Sequence, residues 1–164
     1  MSLNYTKKTI DNFLHPKNSG EVKNADARAD VGNMVCGDQL TFTIKVVDGK
    51  IKELKYLSFG CASNIATASV LSEKVKGMTL AQAKKFNWNE IVSDLGGLPT
   101  QKIHCSVLAV EGLQKVIAVY EKNQAKMAGK PAVAKKAVTK KVAAKKPVAK
   151  KVAIKKPVNK KLKK

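Results

Sequence analysis

Three cysteines stand far apart in the 164-residue chain, each beside a glycine or a histidine: Cys36 in Cys36-Gly37-Asp38, Cys61 in Phe59-Gly60-Cys61, and Cys105 in Lys102-Ile103-His104-Cys105-Ser106. Thiolates are soft donors, and Asp38 and His104 place an oxygen and a nitrogen donor within two residues of a cysteine. Only tertiary folding can gather groups so distant, so the set reads as a metal or sulfur site and not as a local finger. Three thiolates with one further donor complete four-coordination for zinc. They equally supply the four protein bonds of a [2Fe–2S] cluster, which takes four thiolates when it is permanent. A hard carboxylate in the fourth place weakens the hold on iron, which suits a cluster that leaves better than one that carries electrons. The spacing alone, 24 residues between the first two cysteines and 43 between the last two, is not diagnostic.

Each of these residues has a plainer reading when taken singly. A cysteine commonly serves as a small buried apolar side chain, a histidine as a packing or surface group, and an aspartate ahead of a strand as a turn cap. The combination argues otherwise, because each cysteine falls at an element boundary outside any apolar stripe. His15, beside Pro16 and far from any cysteine, keeps the plainer reading. A thiol nucleophile built from Cys105 and His104 is disfavoured, since neighbours on one helical turn project in different directions and no acid orients the imidazole. A transient carrier, not an enzyme, is the expectation.

The elements that must position these groups can be read from periodicity. Tyr5, Ile10, Phe13 and Leu14 suggest a short helix that stops at His15-Pro16, and Lys17-Asn18-Ser19-Gly20 then reads as a turn. Leu40, Phe42, Ile44 and Val46 alternate with polar residues as in a half-buried strand, and Asp48-Gly49 is a two-residue hairpin turn into a second strand from Ile51 to Phe59. Ala62, Ile65, Ala66, Ser69 and Val70 recur at helical spacing up to Gly77, which puts Cys61 at a strand-to-helix junction. Asn87 and Glu90 suggest a capping pair for a short helix ending at Gly96-Gly97. Val107, Val110, Leu113, Ile117 and Tyr120 form the stripe of a last helix, starting near Ile103 to Cys105 and running to about Lys126. Cys61 and Cys105 thus sit at helix N-termini, where backbone N–H groups favour an anion and lower a thiol pKa. Cys36 lies in a glycine-flanked loop, Gly32 to Gly37.

Charge divides the chain into a domain over 1–126 and a tail over 127–164. All 12 acidic residues lie at or before Glu121, leaving a net of +5 on 1–126, while 127–164 carries 15 of the 32 basic residues and no acid. Lysine pairs recur every five residues from Lys135-Lys136 to Lys160-Lys161. On a helix five residues advance ~140° net, so the pairs would wind around the axis and leave no apolar face. Pro131, Pro147 and Pro157 break any helix, and few large apolar side chains are present to offset ordering entropy, so the tail is expected to be disordered. Such a chain can follow a DNA, RNA or other polyanion backbone by counterion release, without aromatics for base stacking.

No apolar run approaches the roughly 18 residues of a membrane span, and Met1 to Lys8 lacks the apolar core of a signal peptide. An odd, low count of cysteines argues for reduced thiols inside the cell and a cytoplasmic location. A second class of function stays open at this point: a nucleic-acid-binding protein whose folded domain carries a structural zinc.

Five ordered motifs resemble the iron–sulfur cluster assembly scaffold family of IscU and the N-terminal domain of NifU. They are Pro16-Lys17-Asn18-Ser19-Gly20; Asp30-Val31-Gly32 with Cys36-Gly37-Asp38; Phe59-Gly60-Cys61 with Val75-Lys76-Gly77; Gly97-Leu98-Pro99; and Lys102-Ile103-His104-Cys105-Ser106. The resemblance covers roughly Tyr5 to Lys122. It implies an α+β domain, a small antiparallel sheet of about three strands packed by four to five helices. It implies that Cys36, Cys61 and Cys105 accept sulfur and bind metal, with Asp38 keeping a [2Fe–2S] cluster exchangeable and His104 as an alternative fourth ligand. A cysteine desulfurase would supply sulfur, iron would join it, and apo iron–sulfur proteins would receive the cluster, with zinc on the same ligands when iron is absent. His104 before Cys105 favours this branch over zinc-dependent sulfur-acceptor relatives, which lack that histidine. Two departures stand out. Ala62-Ser63-Asn64 replaces the usual Gly-Ser-Ala, and the chaperone-docking stretch keeps Leu98, Pro99 and Lys102 as partner-binding residues but not the two between, which argues against a dedicated Hsp70-type chaperone.

Overall fold

The computed structural model describes residues 4–128. A helix α1 (Lys7–Leu14) precedes a three-stranded antiparallel sheet of β1 (Ala27–Gly32), β2 (Gln39–Val47) and β3 (Lys50–Phe59) in that spatial order. Then follow α2 (Ala62–Lys74), α3 (Leu80–Lys84), α4 (Trp88–Asp94), a 3-10 turn at Thr100–Lys102, and the long α5 (Ile103–Ala128). This is the α+β architecture expected, with five helices. Of the segment expected to be disordered, Met127 and Ala128 continue α5 and the rest lies outside the described residues.

The hairpin forms as the alternation requires. Leu40, Phe42, Ile44 and Val46 are buried on one face of β2, and Asp48 and Gly49 both take positive φ, 50° and 71°, the left-handed pair of a tight two-residue turn. Register slips at Lys45/Val46, where β3 carries the extra residue: Val46 opposes Ile51, and Lys45 opposes Glu53. That bulge lets Ile51 and Leu54, which have opposite parity, both face the core. The buried face packs against α2 and α5. Gly112 lets α5 lie close to the sheet, because a Cβ there would stand 2.4 Å from Phe42 Cε2.

Two local expectations are corrected. The apolar residues of α1 face outward, with Ile10, Phe13 and Leu14 exposed and Thr9 buried, because the helix docks through polar contacts: Thr6 Oγ1 donates to Leu95 O, and Ser69 Oγ donates to Asn12 Oδ1 at 2.8 Å. Asn87 caps α4 through the Asn89 N–H, but Glu90 pairs with Lys74 at 3.9 Å and not with the cap. The reciprocal capping box belongs to Thr79 and Gln82 at α3. Thr100–Lys126 is long and apolar enough, by length and composition alone, to cross a bilayer, but half of its most apolar window is buried in the domain, where α5 forms part of the core.

Candidate metal and sulfur site

Asp38 is the hub of the site. It lies just ahead of β2, is 3% exposed, and is reached from three directions. Its Oδ1 accepts the Cys61 backbone N–H at 3.1 Å. Its Oδ2 lies 3.6 Å from Cys61 Sγ and 3.4 Å from Cys105 Sγ. The two sulfurs are 3.7 Å apart. His104 Nε2 stands 3.5 Å from Cys105 Sγ and 3.9 Å from Asp38 Oδ2. Donor atoms of Asp38, Cys61 and Cys105 fall within 4.8 Å of one another, and so do those of Cys36, Asp38 and His104. Two overlapping triads therefore share one carboxylate, and all five donors singled out in the sequence meet at one place.

The local structure explains this convergence. Cys61 is the N-cap of α2, so the turn from β3 into the helix sets its sulfur beside Asp38. Gly60 makes the approach possible, since a Cβ there would sit 2.5 Å from Asp38 Oδ1. Cys105, in the first turn of α5, is fully buried. Cys36 is exposed, on a loop held by Asn33, whose Oδ1 accepts the Val35 N–H at 2.9 Å and the Cys36 N–H at 3.4 Å. Met34 and Val35 beside it are fully exposed, and Phe59 is 75% exposed. An open concavity of about 560 Å³ is lined by Cys36, Asp38, Phe59, Gly60, Cys61 and Lys102 among others.

Protonation is uneven across the site. A hydrogen bond from the Cys105 thiol is the main cause that draws the Cys61 thiol down to about 6; burial opposes it, and the Asn64 N–H and the Lys102 charge assist. Cys105 is pushed the other way, by donating that bond to Cys61 and by burial. The helix-terminus argument is thus corrected for Cys105: burial in a coupled pair outweighs the local dipole, and the pair shares one thiolate. Burial raises the Asp38 carboxyl, but the Cys61 N–H and the Cys105, Cys61 and Cys36 thiols together hold it below its ordinary value. Lys102 is raised, chiefly by the Cys61 charge.

His104 and Cys105 do meet, and Asp38 lies near the imidazole, so the geometric ground against a thiol nucleophile does not stand. The protonation ground replaces it, because a buried thiol pushed upward is a poor nucleophile. Of the residues read as partner-binding, Leu98 packs against the core and Pro99 caps the 3-10 turn, while Lys102 lines the site concavity. His15 is exposed, forms the C-cap of α1 and belongs to neither donor triad. Sequence reasoning passed over Asn33 and Ser58, and met Asn64 only within the Ala62-Ser63-Asn64 departure. An Asn two residues ahead of a turn N–H is a signal for the first; nothing local marks Ser58.

Residues 4–127 match the family described as NifU-like N terminal domain. Iron-sulfur cluster assembly scaffold protein IscU 1 of Archaeoglobus fulgidus is 43% identical over 123 residues, covering 75% of this chain and 80% of that protein. The scaffold protein IscU of Aquifex aeolicus is 40% identical over 129 residues, covering 77% of this chain and 82% of that one. The crystal structure of a nitrogen-fixing NifU-like protein (N-terminal) from Brucella abortus shares the fold with a TM-score of 0.57 at 20% identity, covering 71% of this chain and 94% of that chain. The chain therefore belongs to the NifU-like N-terminal domain family.

Proposed function

We propose that the domain is a scaffold on which a labile [2Fe–2S] cluster is assembled as cargo and then released to apo-proteins. The observation that carries this reading is the sharing of Asp38 between two donor triads in an open concavity. Cys36, Cys61 and Cys105 supply three thiolates, and Asp38 or His104 supplies the fourth bond. A structural zinc site is closed by four strong ligands. This one has an exposed cysteine at its mouth and a hard carboxylate at its centre, which favours exchange over permanent retention. Zinc can occupy the same donors when iron is absent.

Cys36 is the entry point for sulfur, because it is the exposed thiol. Its thiolate attacks the outer sulfur of a persulfide on a cysteine desulfurase, forming Cys36–S–SH and releasing the donor's thiolate. The exposed Met34, Val35 and Phe59 around it offer apolar area for that partner or for an apo-protein client. The domain acts as a carrier in the cytoplasm and turns over no substrate of its own. Leu98, Pro99 and Lys102 are retained as partner-binding residues, with Lys102 also giving the concavity a positive charge. The basic segment over 127–164 adds sequence-independent polyanion binding, supported by its net charge of +15 and its regular lysine pairs.

Anaerobic reconstitution with iron, cysteine and a desulfurase tests the scaffold reading. A brown protein is expected, with visible absorption that fades in Cys36→Ala, Cys61→Ala and Cys105→Ala. Full colour in all three variants would refute it.

A further inference from the structure

We infer that Asn64 is a positioning residue of this site, fixing the two chain segments that present Asp38 and Cys61. The inference rests on the reading of Asp38 and Cys61 as metal donors. Asn64 lies in the first turn of α2 and is fully buried. Its Nδ2 donates to Gln39 O at 3.3 Å and to Ser58 Oγ at 3.1 Å. Gln39 follows Asp38 directly, and Ser58 lies three residues ahead of Cys61, so one carboxamide joins the start of β2, the end of β3 and the start of α2. The Asn64 backbone N–H also donates to Cys61 O at 2.9 Å, which closes the cap around the cysteine.

The packing around Gly60 ties this brace to the donor itself. A Cβ at Gly60 would meet Asp38 Oδ1 at 2.5 Å and Asn64 Nδ2 at 2.7 Å, so the carboxylate and the carboxamide flank the same bare backbone. Carboxylate, glycine and carboxamide form one layer, and displacing either polar group opens space for the other to move. Asn64 is also costly where it stands. Its Oδ1 is buried with no partner among the described residues, and asparagine is a weaker helix former than alanine. A residue kept only for stability would not carry both penalties. Alanine would remove both penalties, which offsets the two hydrogen bonds it loses, so Asn64→Ala is a mild change to the fold. Its effect should fall on the donors, as outer contacts that orient ligands commonly set metal affinity.

The test uses the full chain under anaerobic conditions, with zinc alone as the probe and affinity measured by chelator competition. Thermal melting is followed in parallel. Asn64→Ala is expected to weaken zinc binding by about tenfold while the melt stays cooperative and close to that of the parent. Ser58→Ala, which removes one of the two acceptors of the brace, should weaken binding in the same direction. In a His104→Ala background, which removes the alternative fourth ligand, Asp38→Ala should weaken it too, and adding Asn64→Ala there should cost less than Asn64→Ala does with Asp38 present, because part of the brace acts through the carboxylate. Unchanged affinity in Asn64→Ala beside a clear loss in Asp38→Ala would overturn the role of Asn64 alone. Equal losses from Asn64→Ala with and without Asp38 would overturn it as well. No loss from Asp38→Ala in the His104→Ala background would overturn the donor assignment beneath it.

Discussion

Replacing Cys105 by alanine should raise the pKa of Cys61, and the size of the effect follows from the geometry of the pair. The sulfurs are 3.7 Å apart, and the bond from Cys105 is the largest of the causes that bring Cys61 from the usual thiol range to about 6. Of the causes that remain in the variant, burial outranks the Asn64 N–H and the Asp38 charge outranks Lys102, so Cys61 returns to the usual thiol range. A rise of at least about one unit is expected; at pH 6 the thiolate fraction then falls from about one half to about one tenth, a roughly fivefold drop in reactivity. The sign is that of a depressed acid, with thiolate present above the folded pKa and lost as pH falls through about 6. The assay is the pH profile of alkylation by iodoacetamide, followed by mass spectrometry, in a Cys36→Ala background that removes the exposed competitor. The unfolded chain supplies the reference midpoint, about 8.5 for a free thiol. A midpoint that stays near 6 in the Cys36→Ala, Cys105→Ala double variant would refute the coupling and leave Lys102 and the helix terminus as the cause.

Gly60→Ala should lower zinc affinity by at least about tenfold in chelator competition, because its Cβ would collide with Asp38 Oδ1; binding equal to the parent's would mean the carboxylate is free to move. Gly112→Ala gains about 1 kcal/mol in helix propensity but drives a Cβ to 2.4 Å from a Phe42 ring that is fully buried. Overpacking of this kind costs up to about 3 kcal/mol, so urea unfolding should show a net loss of about 1–2 kcal/mol, and a stabilised variant would contradict the close approach of α5. Truncation after Lys126 should abolish DNA binding. For the full chain, affinity should fall by about 10³–10⁵ between 50 and 200 mM salt if six to ten lysines engage phosphates, and flat salt dependence would count against the counterion mechanism.

The hairpin was legible because its alternation and its Asp48-Gly49 turn demand the same register, and α5 because its stripe is long. β1 was not, since the inward positions Ala27 and Ala29 are small and the strand is defined by pairing with β2. α1 could be located but not oriented: its apolar residues lie outward because threonine and asparagine make the docking contacts. The five side chains that cluster at the site could be named from residue type and company. Their arrangement could not, because it depends on Gly60 admitting Asp38 to the α2 cap and on α5 burying Cys105 beside it. The same burial explains why dipole reasoning, which gave the right direction for Cys61 but not its main cause, gave the wrong direction for Cys105. Lys102 lay within a motif read for partner binding, yet a 3-10 turn ahead of α5 brings it to the concavity as well.

Metal and acid-labile sulfide analysis of the full chain purified without oxygen, before and after incubation with an apo iron–sulfur protein, tests the central proposal most directly. Equal iron and sulfide, lost together from this chain and recovered in the recipient, is the result the account predicts. Tightly held zinc that neither gives way to iron and sulfide nor leaves the protein would contradict it.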